Sequence, residues 1–479
     1  MARPLPLVAS CAAFAAGFGL PFVFALRAWP EIVVPAYFVT RGGVLYDTIF
    51  FIHAPLLILT TAAGGALFGF SATLFRVIVG IVLGGCAAMI VAAVRPGRPL
   101  GFRYGFLAGL PFFVLALVYG EEPALAADPL VAVFFLGGAL LLERFEKGGD
   151  RWPAIAAGLT FGIAILVKQT CAWAAPAALI WMLLSPRRRA STPTFLAMLV
   201  APYATFVAGW AIAYRTWSHV RWTFLLPVLT RHYSEIGIRP TAGEIAGALA
   251  LYVVIPAFLL VHKVAPRFSR LRTPAPWIAI GAIGMAFPRW EVTHVNAGFA
   301  LLALLFARAC LLAPAAIRRF IKQPSPQTGS GIVALIAVTV AIIVVCAPLI
   351  PFSIAHTVLY WDDSVTQRTV NEIERHLRPG SRLLIFNTPF ETAYARTGTI
   401  TPDGSYVNPV FWYYLDKFGV GERVVAALRR HPETPILFRD LAPDEDPRAR
   451  DSIVYRYITA HTRPVAPAIN GATWRFSTR

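Results

Sequence analysis

The stretch GGVLYDTIFFIHAPL, from Gly42 to Leu56, sets a carboxylate, Asp47, and an imidazole, His53, among apolar residues. A carboxylate in that setting can act as a general base, taking a proton from a hydroxyl as its oxygen attacks. Partial desolvation by the neighbouring Ile49, Phe50 and Phe51 would strengthen it in that role. The plainer reading is a solvated loop Asp that caps a helix. His53 could orient a substrate, or, standing before Ala-Pro, fix the turn of the loop. Further polar residues stand at comparable places: Glu121, Glu122, Asp128, Lys168, Arg221, Arg231, Arg289, Glu291 and His294. Glu121, Glu122 and Asp128 could hold a divalent metal ion or the hydroxyls of an acceptor; a solvated loop is the other reading. Lys168 and Arg289 could neutralise an anionic leaving group, or anchor in lipid headgroups by extending their side chains to the interface.

The elements that must position these groups are membrane helices. Of the 479 residues, 57% are hydrophobic and only 14% charged, and the mean hydropathy is +0.63. Soluble domains carry about 25% charged residues, and repeated apolar runs of about 20 residues indicate helical spans. The fold class expected is a polytopic α-helical membrane protein of about eleven transmembrane helices. They are placed near 5–27, 72–94, 104–120, 128–143, 152–167, 171–186, 193–214, 244–262, 274–288, 294–313 and 331–352. The net charge of +18 does not point to nucleic acid, because residues 353–479 hold 16 Lys/Arg against 14 Asp/Glu, whereas residues 1–352 hold 27 against 11. The excess sits in short loops such as RPGRPLGFR, ERFEKGGDR and SPRRRAS. Basic short loops mark the cytoplasmic side.

The alternate loops then face outward: 28–71, 121–128, 168–170, 215–243, 288–294 and the tail from 353. Asp47 is thereby expected at the outer membrane surface, in a loop apolar enough to lie along the interface as amphipathic helices. The chain divides into a transmembrane catalytic domain at 1–352, with outer loops 28–71, 121–128 and 215–243, and an extracytoplasmic α/β domain at 353–479. In that tail RLLIFN (382–387) and PILFRD (435–440) read as strands, and GVGERVVAALRRHPE (419–433) reads as a helix. The five cysteines lie in or beside apolar runs and make no metal-type spacing. Polar groups gathered on the outer side suit an enzyme acting on a membrane lipid. A carrier would hold them near the midplane of broken helices.

GGVLYDTIFFIHAPL resembles the first outer loop of the GT-C superfamily of membrane glycosyltransferases. The likeness is to the bacterial branch similar to protein mannosyltransferases and lipid A aminoarabinose transferases. The matching residues are Gly43, Tyr46, Asp47, Phe50, Phe51, His53 and Pro55. Three further stretches look similar: the acidic loop and the span after it, EEPALAADPLVAVFFLGGALLLERF; a span ending in Lys168-Gln169, AGLTFGIAILVKQT; and a late loop, FPRWEVTHVNAGFALLALL. The tail stretch RLLIFNTPFETAYARTGTITPDGSYV is similar to the outer C-terminal domain of the same branch.

The resemblance implies that Asp47 is the catalytic carboxylate. It implies substrate contacts from Tyr46, His53, Glu122, Asp128, Lys168, Gln169, Arg289 and His294. The donor would be a polyprenyl-phosphate-linked sugar, transferred with inversion to a lipid, glycan or protein acceptor. The setting implied is the bacterial inner membrane, with membrane lipids around a multi-pass chain and the C-terminus outside the cytoplasm. A carrier or flippase for lipid-linked sugars is the alternative.

Overall fold

A computed structural model describes residues 5–23, 27–50, 54–94, 124–125, 127–148, 150–215, 242–249, 273–286, 297–308, 361, 364–386, 391–407, 416, 419–440, 450–465 and 472–478. The chain forms two compact units. One comprises Met1–Ala25, Arg76–Arg215 and Tyr233–Thr357, and the other Leu26–Phe75, Thr216–His232 and Val358–Arg479.

The first unit is built of apolar helices. Ala72–Val94 and Thr192–Tyr214 are each 23 residues and apolar enough to cross a membrane. At 1.5 Å per residue each reaches about 34 Å, enough to traverse a hydrocarbon core. Shorter apolar helices include Leu7–Val23, Trp152–Val167, Pro274–Met285 and Phe299–Arg308. The expected spans at 104–120 and 331–352 lie outside the described residues. Trp152–Val167 packs against both Thr192–Tyr214 and Ala127–Gly148. Glycine permits the first contact: a Cβ on Gly158 would stand 2.4 Å from the Phe195 carbonyl oxygen, and one on Gly162 2.5 Å from that of Leu199. Small residues at such crossings let helix backbones approach in lipid. Large apolar side chains such as Val200 and Ile212 point away from the protein, at 55% and 80% exposure. On a helix of this composition they call for an apolar surrounding.

One end of this unit is tied by buried charge. Glu143 accepts from Lys147 at 2.6 Å and from Arg308 at 2.8 Å. Arg188, buried to 3%, lies 3.4 Å from Glu146, donates to the Trp181 carbonyl at 2.7 Å and stacks its guanidinium over the Trp181 ring. Glu143, Glu146 and Lys147 come from one basic loop, Arg188 from another and Arg308 from a late helix, so part of the positive excess is paired inside the fold.

In the second unit the tail and the first long loop fold together. β1 is Ile49–Phe50, β2 Leu384–Phe386, β3 Tyr406–Val407, β4 Ile436–Arg439, β5 Thr462–Pro464 and β6 Ala472–Ser477. A four-stranded sheet runs β2–β4–β6–β5, with β2 and β4 parallel and the other pairs antiparallel. The helix Val420–Arg430 precedes β4 in sequence and buries Val420, Val424, Val425, Ala427 and Leu428, the helical-period apolar set. β2, this helix and β4 fall within the strand, helix and strand runs read from the sequence.

The loop from 28 to 71 departs from expectation. Its helix Pro30–Thr40 buries every residue from Ile32 to Phe38. A helix closed on all sides is a core helix, not an amphipathic one lying on lipid. Composition alone does not distinguish an apolar loop that meets lipid from one that meets protein. Here the covering surfaces are the helix Leu56–Phe68, the short helix Ala393–Thr397 and β3.

Candidate functional site

Asp47 sits at the tip of a tightly bonded turn. The Val44 carbonyl accepts from the backbone N–H groups of Asp47 (3.2 Å), Thr48 (3.0 Å) and Ile49 (3.0 Å). The Val44 N–H donates to Thr48 Oγ1 at 2.8 Å, and the Tyr46 N–H to the Ile49 carbonyl at 2.8 Å. Turns with Asp, Thr and Gly close in this way because short polar side chains and a missing Cβ satisfy backbone groups locally. Gly43 is required: a Cβ there would lie 2.9 Å from the Phe38 carbonyl oxygen and 2.7 Å from the Ile49 side chain.

Tyr46 is buried with φ at 70°, a conformation that costs a bulky side chain on the order of 1–3 kcal/mol. The surroundings hold it there, and such strain gathers at functional sites. Asp47 itself is exposed, while Ile49 and Phe50 are buried at 0% and 4%. The two apolar neighbours therefore face the protein interior and do not screen the carboxylate from solvent, contrary to the desolvation expected from sequence. The reason is that the strand continuing from the turn is covered on both faces, Ile49 lying against Gly43 and Phe50 under Arg423, so its pairing with the tail buries both side chains.

The turn is mounted on the tail. β1 and β3 pair in parallel, Ile49 against Tyr406 and Phe50 against Val407, and the Tyr406 N–H donates to the Thr48 carbonyl at 3.0 Å. Arg423 lies over the Phe50 ring, 4.5 Å to its centroid. On the other side of the turn, Tyr37 donates its hydroxyl to the Thr399 carbonyl at 3.0 Å. Phe38 stacks on Tyr406 (5.7 Å) and meets Tyr394 edge-on (5.4 Å). Tyr394 in turn receives the Ile385 N–H at 2.7 Å and donates to the Leu383 carbonyl, which ties the assembly to β2.

Beneath lies a buried carboxyl, Glu391, accepting from the Tyr406 hydroxyl at 2.7 Å. Burial raises the Glu391 pKa well above the usual carboxylate range; the Tyr406 hydrogen bond opposes the shift and the Glu31 carboxylate adds to it. Burial likewise pushes the Tyr406 and Tyr394 hydroxyls up. It raises Tyr37 as well, against the pull of Arg41.

Lys168 belongs to the first unit. It ends the helix Trp152–Val167, its extended backbone (φ −149°, ψ 119°) handing over to a 3₁₀ turn, Gln169–Trp173. Its side chain is 4% exposed, which places it inside the protein rather than stretched toward headgroups. Gln169 is partly exposed beside it. His53, Glu121, Glu122, Arg221, Arg231, Arg289, Glu291 and His294 lie outside the described residues, and for Asp128 only the backbone, in the helix Ala127–Gly148, is described. Among the described residues no three His, Cys, Asp or Glu side chains gather as a metal site. Tyr37, Phe38, Glu391, Tyr394 and Tyr406 escaped sequence reasoning. Glu391, Tyr394 and Tyr406 fall in a stretch singled out for resemblance, but no spacing there points to Asp47.

No protein-family model matches the sequence, and no curated protein matches it. Solved structures do. ArnT from Cupriavidus metallidurans bound to undecaprenyl phosphate superposes with a TM-score of 0.60 at 14% identity, over 99% of this chain and 98% of that one. Its apo form gives the same TM-score and identity over 98% and 97%. The chain shares the fold of these ArnT structures. The arabinofuranosyltransferase AftD from mycobacteria is also similar, with a TM-score of 0.52 at 16% identity; all of this chain is covered but only 40% of that larger one.

Proposed function

We propose that the chain is an inverting glycosyltransferase that moves a sugar from a polyprenyl-phosphate donor to an acceptor at the outer face of a bacterial inner membrane. The observation that carries this reading is the mounting of Asp47: an exposed carboxylate on a rigid turn, beside a strained, buried Tyr46, in a chain with the GT-C fold. Undecaprenyl phosphate in the ArnT structure supports the donor class. In this reading residues 1–352 form the transmembrane catalytic domain, with loop 28–71 folding against the outer domain at 353–479.

Asp47 takes the proton of an acceptor hydroxyl. The freed oxygen attacks the anomeric carbon from the side opposite the phosphate. The bond from that carbon to the phosphate oxygen breaks, and the polyprenyl phosphate leaves with the electron pair. Lys168 in the interior, and Arg289 in the late loop, are the cations assigned to the growing charge on that phosphate. Tyr46, His53, Glu122, Asp128, Gln169 and His294 are assigned to substrate contacts, and no step is routed through a metal ion.

Replacing Asp47 by Asn keeps the shape and removes the proton acceptor. Transfer from undecaprenyl-phosphate sugars by membranes holding the variant should fall roughly 10²–10⁴-fold with expression unchanged. Turnover at the wild-type rate removes Asp47 from the mechanism.

A further inference from the structure

We infer that Tyr406 of the tail is a positioning residue for the Asp47 turn, held in register by the buried Glu391. The inference rests on Asp47 being the base. Tyr406 grips both sides of the segment that carries Asp47. Its N–H donates to the carbonyl of Thr48, the residue after Asp47, and its ring stacks on Phe38. The Phe38 carbonyl in turn accepts from Arg41 at 3.0 Å and Gly43 at 2.9 Å, which starts the turn. Two interactions thus run from one tail residue to the two sides of a short chain with Asp47 at its tip.

What fixes Tyr406 itself is the 2.7 Å bond from its hydroxyl to Glu391 Oε2. A carboxyl 3% exposed costs free energy to bury unless a donor meets it. Its presence beneath an aromatic that apolar packing alone could hold indicates a demand for orientation. The turn fixes Asp47 against its own backbone, but only the two-residue strand that follows it, with the packing of Phe38, sets its height and angle against the tail. Proton abstraction depends on both, and a misplacement of about 1 Å can cost on the order of 10²-fold in rate.

The test uses full-length enzyme in detergent and undecaprenyl phosphate carrying a radiolabelled pentose or hexose, whichever the wild type consumes. Glu391→Ala removes the acceptor and should lower kcat about tenfold or more with the donor KM unchanged. Glu391→Gln retains an oxygen acceptor for the Tyr406 hydroxyl and should restore most of that loss. In an Asp47→Asn background, Glu391→Ala should change the residual rate no further, since there is no base left to misplace. Tyr406→Phe gives a second, milder removal of the same bond if the alanine variant folds poorly, and amide exchange across residues 44–50 reports the loosened turn directly. Three results overturn the inference while leaving Asp47 as base: Glu391→Ala and Tyr406→Phe turning over at the wild-type rate, a full effect of Glu391→Ala persisting on top of Asp47→Asn, or a glutamine variant as impaired as the alanine one. An active Asp47→Asn enzyme instead overturns the reading on which the inference rests.

Discussion

Truncating Phe38 should unfasten the first outer loop from the tail without touching the groups assigned to chemistry. The ring is 1% exposed and is shared between Tyr37, Tyr394 and Tyr406. Phe→Ala at a buried site costs about 3–5 kcal/mol from lost transfer energy and the cavity left behind. Two of those partners come from the tail, so most of the cost falls on the state in which loop and tail are joined. At 1.4 kcal/mol per tenfold, the separated state becomes roughly 10²- to 10³-fold more populated. When opening is fast relative to cleavage, proteolysis follows that population. Limited proteolysis of the purified full-length protein, with cleavage in the tail followed by mass spectrometry, should therefore accelerate by about that factor. Phe38→Leu, which keeps most of the volume, should show a far smaller effect. An acceleration below about threefold in Phe38→Ala would show that the ring does not join loop to tail, and the mounting of Asp47 would need another basis.

Glu391 makes a second expectation, in stability against pH. Its folded pKa is raised, so the unfolded chain releases the proton first. The stability this group contributes is full below its unfolded value and is lost as pH rises toward the folded one. The thermal stability of the wild type should fall as pH rises above about 5, the unfolded carboxylate range, and Glu391→Gln should flatten that slope; equal slopes refute it. Tyr406, Tyr394, Asp403 and Glu31 interact with the same site, so the comparison is with the single variant rather than with a calculated curve. In the first unit, Arg308→Ala leaves Glu143 buried with the exposed Lys147 as its remaining ion-pair partner among the described residues. Breaking a buried pair in this way costs about 3–5 kcal/mol, and Glu143→Gln added to it should recover part of the loss in detergent melting curves.

Much of this was readable in the sequence where one element repeats a period. The helix Val420–Arg430 shows its buried face every third or fourth residue, and β2 and β4 are apolar runs bounded by polar residues. Trp152–Val167 begins and ends where its apolar run does, stopped at Lys168. Asp47 stands out in the sequence through the company it keeps in the chain. Its mount does not, for a physical reason: β1 and β3 are two residues each and lie more than 350 residues apart. Two residues carry no period, and pairing at that separation is decided by the whole fold. Glu391 likewise reads as an ordinary surface acid until Tyr406 is placed over it. Apolarity misled in one case: the helix Pro30–Thr40 has the composition of an interfacial helix and the environment of a core.

If Asp47 is the base proposed above, these cases share a logic about where such a carboxylate is held. A base that must be open to an incoming acceptor cannot be fixed by burying it, so its backbone must be fixed instead. The turn does this with Val44 as a common acceptor and Gly43 as the residue that fits beneath Phe38. Rigid first-neighbour geometry then needs a support that does not move with it. Lipid cannot supply one, being fluid and unable to hydrogen-bond a strand edge. A folded tail can, and the strand it offers, β3, already carries Tyr406, with the buried acid beneath it. Exposure of Asp47 and burial of Ile49, Phe50, Tyr46 and Glu391 are therefore two sides of one arrangement: the proposed base is left open to solvent because everything that sets its position is not.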